Sequence, residues 1–520
     1  MFVKVTVKKN TYFDSVSLMA LSTKVNELKD VEQAFVAMAT DMNKGVLDNV
    51  GLLDDEIRSS NSGDLFVVIK AVSEEACEQT LEEVEKLLKG GDNATAGLGG
   101  SQDKKFTTLK SALKHQPESN LAIISVPGEF AKREAKIALN NDLHVLMFSD
   151  NVSVEDEIEL KTLAHEKGLL MMGPDCGTAI INNVGLCFAN KVRTGKIGIV
   201  GASGTGSQEV AARIHDFGGG ITQLLGTGGR DLSEAVGGIM MLDGLRALEA
   251  DPNTEVVLIV SKPAAKSVEA KVLEQVKSMS KPVVVCLLGG DEAPVVEAGA
   301  HFAKTTKEAA LQAVILAGID EAGINKRTLN LPLIEEIKAK LKPEQKYIRG
   351  LFCGGTLCEE SMMLAREYSS DVYSNIAKKP EQRLTDINAS QAHTFIDFGD
   401  DDFTNGRPHP MIDPSSRIER LLKEADDPEV GVIVLDFVIG YGSHEDPVGV
   451  TIPAIIEAKQ KAEARGQHLE ILGYVLGTDL DSPDMNEQIE KLAQVGVTIS
   501  SSSQNTGLLA RGFVSKGESK

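Results

Sequence analysis

Lys196-Ile-Gly-Ile-Val-Gly-Ala-Ser-Gly-Thr-Gly206 decides the fold, because Arg349-Gly-Leu-Phe-Cys-Gly-Gly-Thr-Leu-Cys-Glu-Glu360 answers it later in the chain. Each is a short apolar run, then small residues, then helix formers. That order predicts a buried strand turning sharply into a helix, the recurring junction of an α/β domain. The junction leaves backbone N–H groups unpaired at the helix start, where the helix dipole adds partial positive charge and attracts phosphate or carboxylate. Glycine lets the backbone approach an anion, and Ser or Thr adds a hydroxyl donor. One such turn serves plain packing in many α/β folds. Two in similar settings suggest two helices aimed at one anion.

Working outward, the two stretches open regions that read as diverged copies. Each later has an Asp-Pro step before an apolar strand: Asp251-Pro-Asn-Thr-Glu-Val-Val-Leu-Ile-Val260 and Asp427-Pro-Glu-Val-Gly-Val-Ile-Val434. Each then has a further apolar strand ending in glycine, Val283–Gly289 and Leu469–Gly477. Upstream, strand and helix alternate from about residue 119. Strands are expected at Leu121–Val126, Val145–Phe148 and Leu169–Met172, with helices over Glu129–Asn140 and from a cap at Ser153. The third strand runs into Gly173-Pro-Asp-Cys-Gly-Thr178. Nearer the start, strands are expected at Val3–Val7 and Leu65–Ile69, and a helix from Asp14 or Ser15. The glycine-rich stretch Gly90–Ser101 reads as a mobile loop or linker. The fold class is α/β, with several doubly wound, mainly parallel-sheet domains.

Aromatic residues are only 4% of the 520-residue chain and Trp is absent, so its cores rest on aliphatic side chains. The net charge of −22 would repel a phosphate backbone or an anionic membrane, so nucleic acid is excluded as the main partner. No apolar run approaches the roughly 20 residues that cross a bilayer. The start of the chain alternates like a strand rather than a signal sequence, so the expected location is cytoplasmic. Six cysteines, with no C-x-x-C pair, read as reduced buried thiols. No H-E-x-x-H motif occurs, so no metal site is expected.

Five stretches together resemble the FdrA-like branch of putative acyl-CoA synthetases, within the succinyl-CoA synthetase superfamily. They are Phe13–Met19, Gly173–Thr178, Gly201–Gly206, Gly228-Gly-Arg-Asp-Leu-Ser233 and Gly406-Arg-Pro-His-Pro-Met-Ile-Asp-Pro414. The resemblance covers most of the chain. It implies an N-terminal α/β domain at 1–115, a CoA-binding-like Rossmann segment at 116–192 and an α-type ligase domain at 193–320. A linker at 321–345 and a β-type flavodoxin-like domain at 346–520 follow. In the superfamily, two helix starts cradle a phosphohistidine, and the resemblance places them here at Ser203-Gly204-Thr205-Gly206 and Gly354-Gly355-Thr356.

The chain departs from that pattern. The family's Gly-His-Ala-Gly is missing after Val283–Leu288, and the nearest histidine, His301, is displaced. The acid that steadies the family's histidine falls near Ser261-Lys262-Pro263, a cation instead. No ATP-grasp module or Walker A motif is present, and residues 1–115 lack the glycine loop that opens the family's CoA-binding domain. What survives is an anion cradle. Because the branch includes a component of oxamate carbamoyltransferase, from purine (allantoin) catabolism, the resemblance implies acyl or carbamoyl transfer to or from phosphate. The substrates are then phosphate or carbamoyl or acyl phosphate, with no covalent cofactor and CoA only as a possibility. The expected partners are a small anionic metabolite and other subunits of the pathway, or further copies of the chain. The alternatives are an NDP-forming acyl-CoA synthetase with a separate ATP-grasp subunit, and a non-catalytic metabolite-binding subunit.

Beyond the two helix starts, Arg230 and Lys262 follow strand ends on the ligand side of an open sheet and are candidate phosphate ligands. Arg407 and His409, in a proline-constrained loop, are candidates for gripping the substrate and moving a proton. His444 is a further candidate acid or base. The run Asp400-Asp-Asp402 is compatible with Mg²⁺ but not diagnostic of it. His165 and His215, on helical stretches, are expected at the surface.

Overall fold

The computed structural model describes residues 2–9, 11, 13, 15–26, 28–61, 63–90, 106–404 and 407–515. The chain divides into two compact units, Met1–Phe106 and Thr107–Lys520. In the first, strands Phe2–Lys8 and Val31–Met38 flank Leu65–Ala71 in an antiparallel sheet. The central strand is buried on both faces: Val67 and Ile69 pack with Leu18 and Val84, while Phe66 and Val68 pack with Leu47 and Ile57. Helices run over Ser15–Asn26 and Glu74–Gly90. Asp14 and residues 91–101 of the glycine-rich stretch lie outside the described residues, as do Asn405 and Gly406.

The second unit begins with three parallel strands, Leu121–Ile124, His144–Met147 and Met171–Met172. The helix Val154–Glu166 starts where the sequence places its cap: the Ser153 hydroxyl accepts from the Asp156 amide at 3.1 Å.

Two parallel sheets of like topology follow. In the first copy the strands are Thr194–Gly201, Ile221–Gly226, Val256–Ser261, Val283–Leu287 and His301–Phe302. In the second they are Tyr347–Phe352, His393–Asp397, Val430–Val438, Glu470–Leu476 and Thr498–Ile499. Numbered within each copy, both sheets have the order 2-1-3-4-5 of a flavodoxin-like fold. The hairpin Thr178–Ile181 and Val184–Cys187 extends one edge of the first sheet; Val372–Ser374 extends the matching edge of the second. The Asp-Pro steps do precede the third strand of each copy, and the paired apolar runs are the fourth strands. Third strands such as Val430–Val438 are buried along their whole length, which explains their unbroken Val/Ile/Leu character.

The copies meet through four helices. Gly204–Asp216 and Gly355–Arg366 follow the first strands, and Thr306–Leu316 and Ser503–Val514 follow the last. Each copy caps a helix of the other. Glu209 accepts from the Ser503 amide at 3.0 Å, and Glu360 accepts from the Thr306 amide at 2.8 Å. Both acids are fully buried and satisfy N–H groups at the first turn of a helix.

Two expectations change. Residues 321–345 are more than a connector: they hold the helix Leu331–Lys340, capped by Asn330, with Ile334 and Ile337 buried in the core of the second copy. Their i, i+3 spacing gives that helix an apolar stripe. His215 is not a surface residue. It is 3% exposed, its Nδ1 accepts from the Arg193 amide at 3.1 Å, and its Nε2 meets Asp479 at 2.7 Å. His165 is exposed, beside Asp243.

Candidate functional site

Each glycine turn begins a helix at the C-terminal end of the first strand of its copy. Ser203 caps the first helix, its hydroxyl accepting from the Gly206 amide at 3.1 Å. Gly354 occupies the same place before the second helix and has no side chain to cap with. The two helix starts touch. The Ser203 and Thr356 hydroxyls share a hydrogen bond, and the Thr356 amide donates to Thr205 Oγ1 at 3.4 Å. Glycine eases this approach: a Cβ at Gly206 would lie 2.8 Å from Thr356 Cγ2, and one at Gly354 would lie 3.1 Å from Thr205 Cγ2. Among the described residues the first-turn amides of Gly204, Thr205 and Gly355 donate to no protein acceptor.

Three residues that the sequence reading passed over complete the surroundings. Thr178 is 2% exposed; its hydroxyl has no hydrogen-bond partner among the described residues and lies 3.4 Å from where a Cβ at Gly204 would sit. Asp436, fully buried in the third strand of the second copy, accepts from the Cys353 amide at 2.7 Å and the Gly354 amide at 2.8 Å. The guanidinium of Arg417 pairs with it at 2.8 Å. Asp397 ends the second strand of that copy, and its Oδ1 accepts from the Gly399 amide at 2.9 Å.

Lys262 reaches this place from the third strand of the first copy. Its Nζ is 3.7 Å from Asp397 Oδ2, and both atoms lie against Gly355: a Cβ there would collide with the carboxylate and come within 2.8 Å of the ammonium. Burial pushes Asp397 up to about 6, against the pull of Lys262. Burial lowers the Lys262 ammonium, but Asp397 and Glu359 outweigh it and hold its pKa above the usual value. The Lys262 side chain stays partly open to solvent.

The remaining candidates differ in how they are held. Arg230 is tied down by the ion pair with Glu157 at 3.0 Å and the Val152 carbonyl at 2.7 Å, so its guanidinium is largely committed. Near it, desolvation and then the neighbouring carboxylates of Asp150 and Asp401 raise Asp175 above its usual value. His409 packs its ring on Phe188, and its Nε2 faces Gly399, the residue that bonds Asp397. Its Nδ1 accepts from the Met411 amide at 3.2 Å. Burial, then Arg417, lowers its pKa to about 4, so at neutral pH it is an uncharged ring with a proton on Nε2. Arg407 is exposed, its amide donating to the Thr404 carbonyl at 3.0 Å. His444 stands apart: its amide bonds the Met411 carbonyl and its Nδ1 accepts from Asp446.

His301 lies in the edge strand of the first sheet, in register with Val284 near the start of the fourth strand. The helix starts are at the opposite, C-terminal end of the strands. Among the described residues no group of three or more His, Cys, Asp or Glu is arranged to hold a metal ion, and none is long and apolar enough as a helix to cross a membrane.

Three families match parts of the chain: AllF, heavy metal-associated domain, over residues 1–105; CoA binding domain over 192–289; and CoA-ligase over 351–513. Residues 1–105 contain no His and one Cys, the buried Cys77, whose thiol faces the Phe2 and Ile69 carbonyls. That donor set does not fit a soft heavy metal. The chain is 62% identical over 518 residues to the "Uncharacterized protein YahF" of Escherichia coli K12, with 100% of each chain covered. It is 26% identical over 277 residues to the succinate–CoA ligase [ADP-forming] subunit alpha of Methanothermobacter thermautotrophicus, covering 51% of this chain and 89% of that one. Among solved structures, the apo dinucleotide-forming acetyl-coenzyme A synthetase 1 of Ca. Korarchaeum cryptofilum matches with a TM-score of 0.35 and 16% identity, over 84% of this chain and 92% of that one.

Proposed function

The chain belongs to the FdrA-like branch of the succinyl-CoA synthetase superfamily, and from that premise we propose that it transfers a carbamoyl or acyl group to or from phosphate. The observation that carries this reading is the contact between the two helix starts, with the Gly204, Thr205 and Gly355 amides left without protein acceptors and Lys262 beside them. Phosphate sits there, held by the Gly204 and Thr205 amides and the Ser203 hydroxyl from one copy and by the Gly355 amide and Thr356 hydroxyl from the other; Gly206 and Gly354, whose amides are taken by Ser203 and Asp436, give it room. Lys262 supplies the charge and Thr178 one more hydroxyl. Arg230 acts at longer range, because Glu157 already claims it.

The same donors stabilise the oxyanion that develops when phosphate attacks a carbonyl carbon. The exposed Arg407 takes the carboxylate of a substrate such as an N-carbamoyl amide, in the manner of oxamate carbamoyltransferase. His409, neutral and a donor through Nε2, orients the substrate rather than accepting its proton. The chain works with other subunits of its pathway or with further copies of itself.

The experiment is phosphate release from carbamoyl phosphate with a panel of small amides, with and without nucleotide, CoA and candidate partner subunits. Turnover without nucleotide or CoA, slowed about 10²–10³-fold by loss of an oxyanion donor, is expected. A requirement for ATP and CoA would reject the reading.

The matches to a CoA binding domain and a CoA-ligase favour a second reading, an NDP-forming acyl-CoA synthetase that borrows an ATP-grasp subunit. That chemistry passes through a phosphohistidine, and His301, on the edge strand, is poorly placed for it. Stoichiometric acid-labile, alkali-stable label on His301 after incubation with labelled ATP would establish it.

A further inference from the structure

Asp397 has no part in holding phosphate, yet its carboxylate lies against Gly355, at the heart of the cradle. Resting on the anion reading above, we propose that Asp397 is the acid–base residue of this site: a bound anion takes over Lys262, and Asp397 then takes up a proton that it delivers to the leaving nitrogen.

The cradle has evidence for a ligand beyond the two helix starts themselves. The Thr178 hydroxyl is buried, unpartnered and directed at Gly204. Asp397 is 4% exposed, with Oδ1 committed to the Gly399 amide. Among the described residues Oδ2 meets only the Lys262 ammonium, at 3.7 Å, an ion pair too long to be a hydrogen bond.

Charged groups face Asp397 from each neighbouring element. Asp400 follows it in the chain, and Asp436 lies on the third strand, across the first, paired with Arg417. Glu359, on the helix that starts at Gly355, competes for Lys262. His409 stands beyond Gly399 as an uncharged ring. Lys262 is therefore the cation that opposes burial and keeps the Asp397 carboxylate mostly ionised at neutral pH. A phosphate that pairs with Lys262 removes this opposition and adds negative charge nearby. Both changes favour the protonated carboxyl.

The chemistry balances with this one group. A phosphate oxygen of HPO₄²⁻ attacks the terminal carbonyl carbon of R–CO–NH–CO–NH₂, and a C–O bond forms. The C–N bond to the inner nitrogen breaks and its electron pair returns to nitrogen, which takes the Asp397 proton and leaves as R–CO–NH₂. The proton that phosphate loses on becoming H₂N–CO–OPO₃²⁻ restores Asp397.

The test is calorimetric titration of the full chain with sulfate, which does not titrate near neutral pH, in buffers of different ionisation enthalpy. The wild-type enthalpy should vary with the buffer as expected for uptake of up to one proton at pH 7. Asp397→Asn should bind sulfate with no buffer dependence. Lys262→Met, in which Asp397 is already protonated, should also show none, and His409→Gln should keep the wild-type slope. Buffer-independent binding by the wild type, or uptake that survives Asp397→Asn, overturns the inference while leaving the cradle standing. Absence of sulfate binding overturns the cradle and the inference with it.

Discussion

The two flavodoxin-like copies share a topology and differ at their strand ends. In the first copy, Gly226 pairs with Gly201 at the end of the second strand, and Val260 faces the same point from the third. In the second copy the equivalent positions hold Asp397, paired with Phe352, and Asp436. The backbone follows one plan: the Thr227 amide bonds the Gly201 carbonyl, and the Phe398 amide bonds the Phe352 carbonyl, both at 2.8 Å. Even the amide before each helix shows the substitution. The Ala202 amide donates to the Val260 carbonyl, whereas the Cys353 amide donates to the Asp436 carboxylate. After the second strand the first copy presents Thr227-Gly-Gly-Arg230, and the second presents Phe398-Gly-Asp-Asp401. The first copy thus brings cations, Lys262 and Arg230, and the second brings acids. The shared topology brings two helix starts face to face, and the different strand-end residues make the ground between them a polar pair.

Asp436→Asn breaks the difference most severely. It removes the charge that Arg417 was buried to meet, and breaking such a pair costs roughly 3–5 kcal/mol. Chemical denaturation should show a loss of that order. A loss under 1 kcal/mol would mean that Asp436 is not what holds the second helix start in place.

The cross-capping acids offer a smaller, pH-dependent effect. Burial raises Glu360 to about 7. In the unfolded chain it ionises near its ordinary value, so between about 4.5 and 7 the native state binds more protons. Stability from this group is therefore lost as pH rises through that window. Glu360→Gln escapes the loss, so its stability relative to wild type should climb by about 1–3 kcal/mol between pH 4.5 and 7.5. A flat difference across that range would contradict the buried, proton-holding Glu360.

Lys262→Gln should weaken phosphate binding about tenfold to a hundredfold, the usual worth of a charge-assisted hydrogen bond, and should flatten its salt dependence. Thr178→Val keeps shape but removes the orphan hydroxyl. It should weaken phosphate binding by about tenfold or less without lowering the melting temperature, because the hydroxyl bonds no described residue in the free protein. A lowered melting temperature with unchanged phosphate affinity would assign Thr178 to packing instead.

The strand–glycine–helix turns were legible because every feature that makes them is local: apolar run, small residues, helix formers. The same holds for the Ser153 cap and for the Asp-Pro steps before the third strands. The partners of the helix starts were not legible, because they depend on register between distant strands. Asp436, within Val434-Leu-Asp-Phe-Val438, looks like an interruption of a buried strand until the Cys353 and Gly354 amides are set against it. Thr178 gains interest only from its distance to Gly204, and His215 meets Asp479 from a loop of the other copy. Lys262 was legible as a strand-end cation, but its carboxylate partner was not.

The central claim is that one anion is shared by two helix starts, and its most direct measurement is the stoichiometry of phosphate binding by calorimetry. The wild-type chain should bind one phosphate. Gly355→Glu, which drives a side chain into Asp397 and Lys262, and Gly206→Glu, which drives one into Thr356, should each bind none. Two phosphates on the wild type, falling to one in each variant, would mean two independent helix sites and would contradict the shared cradle.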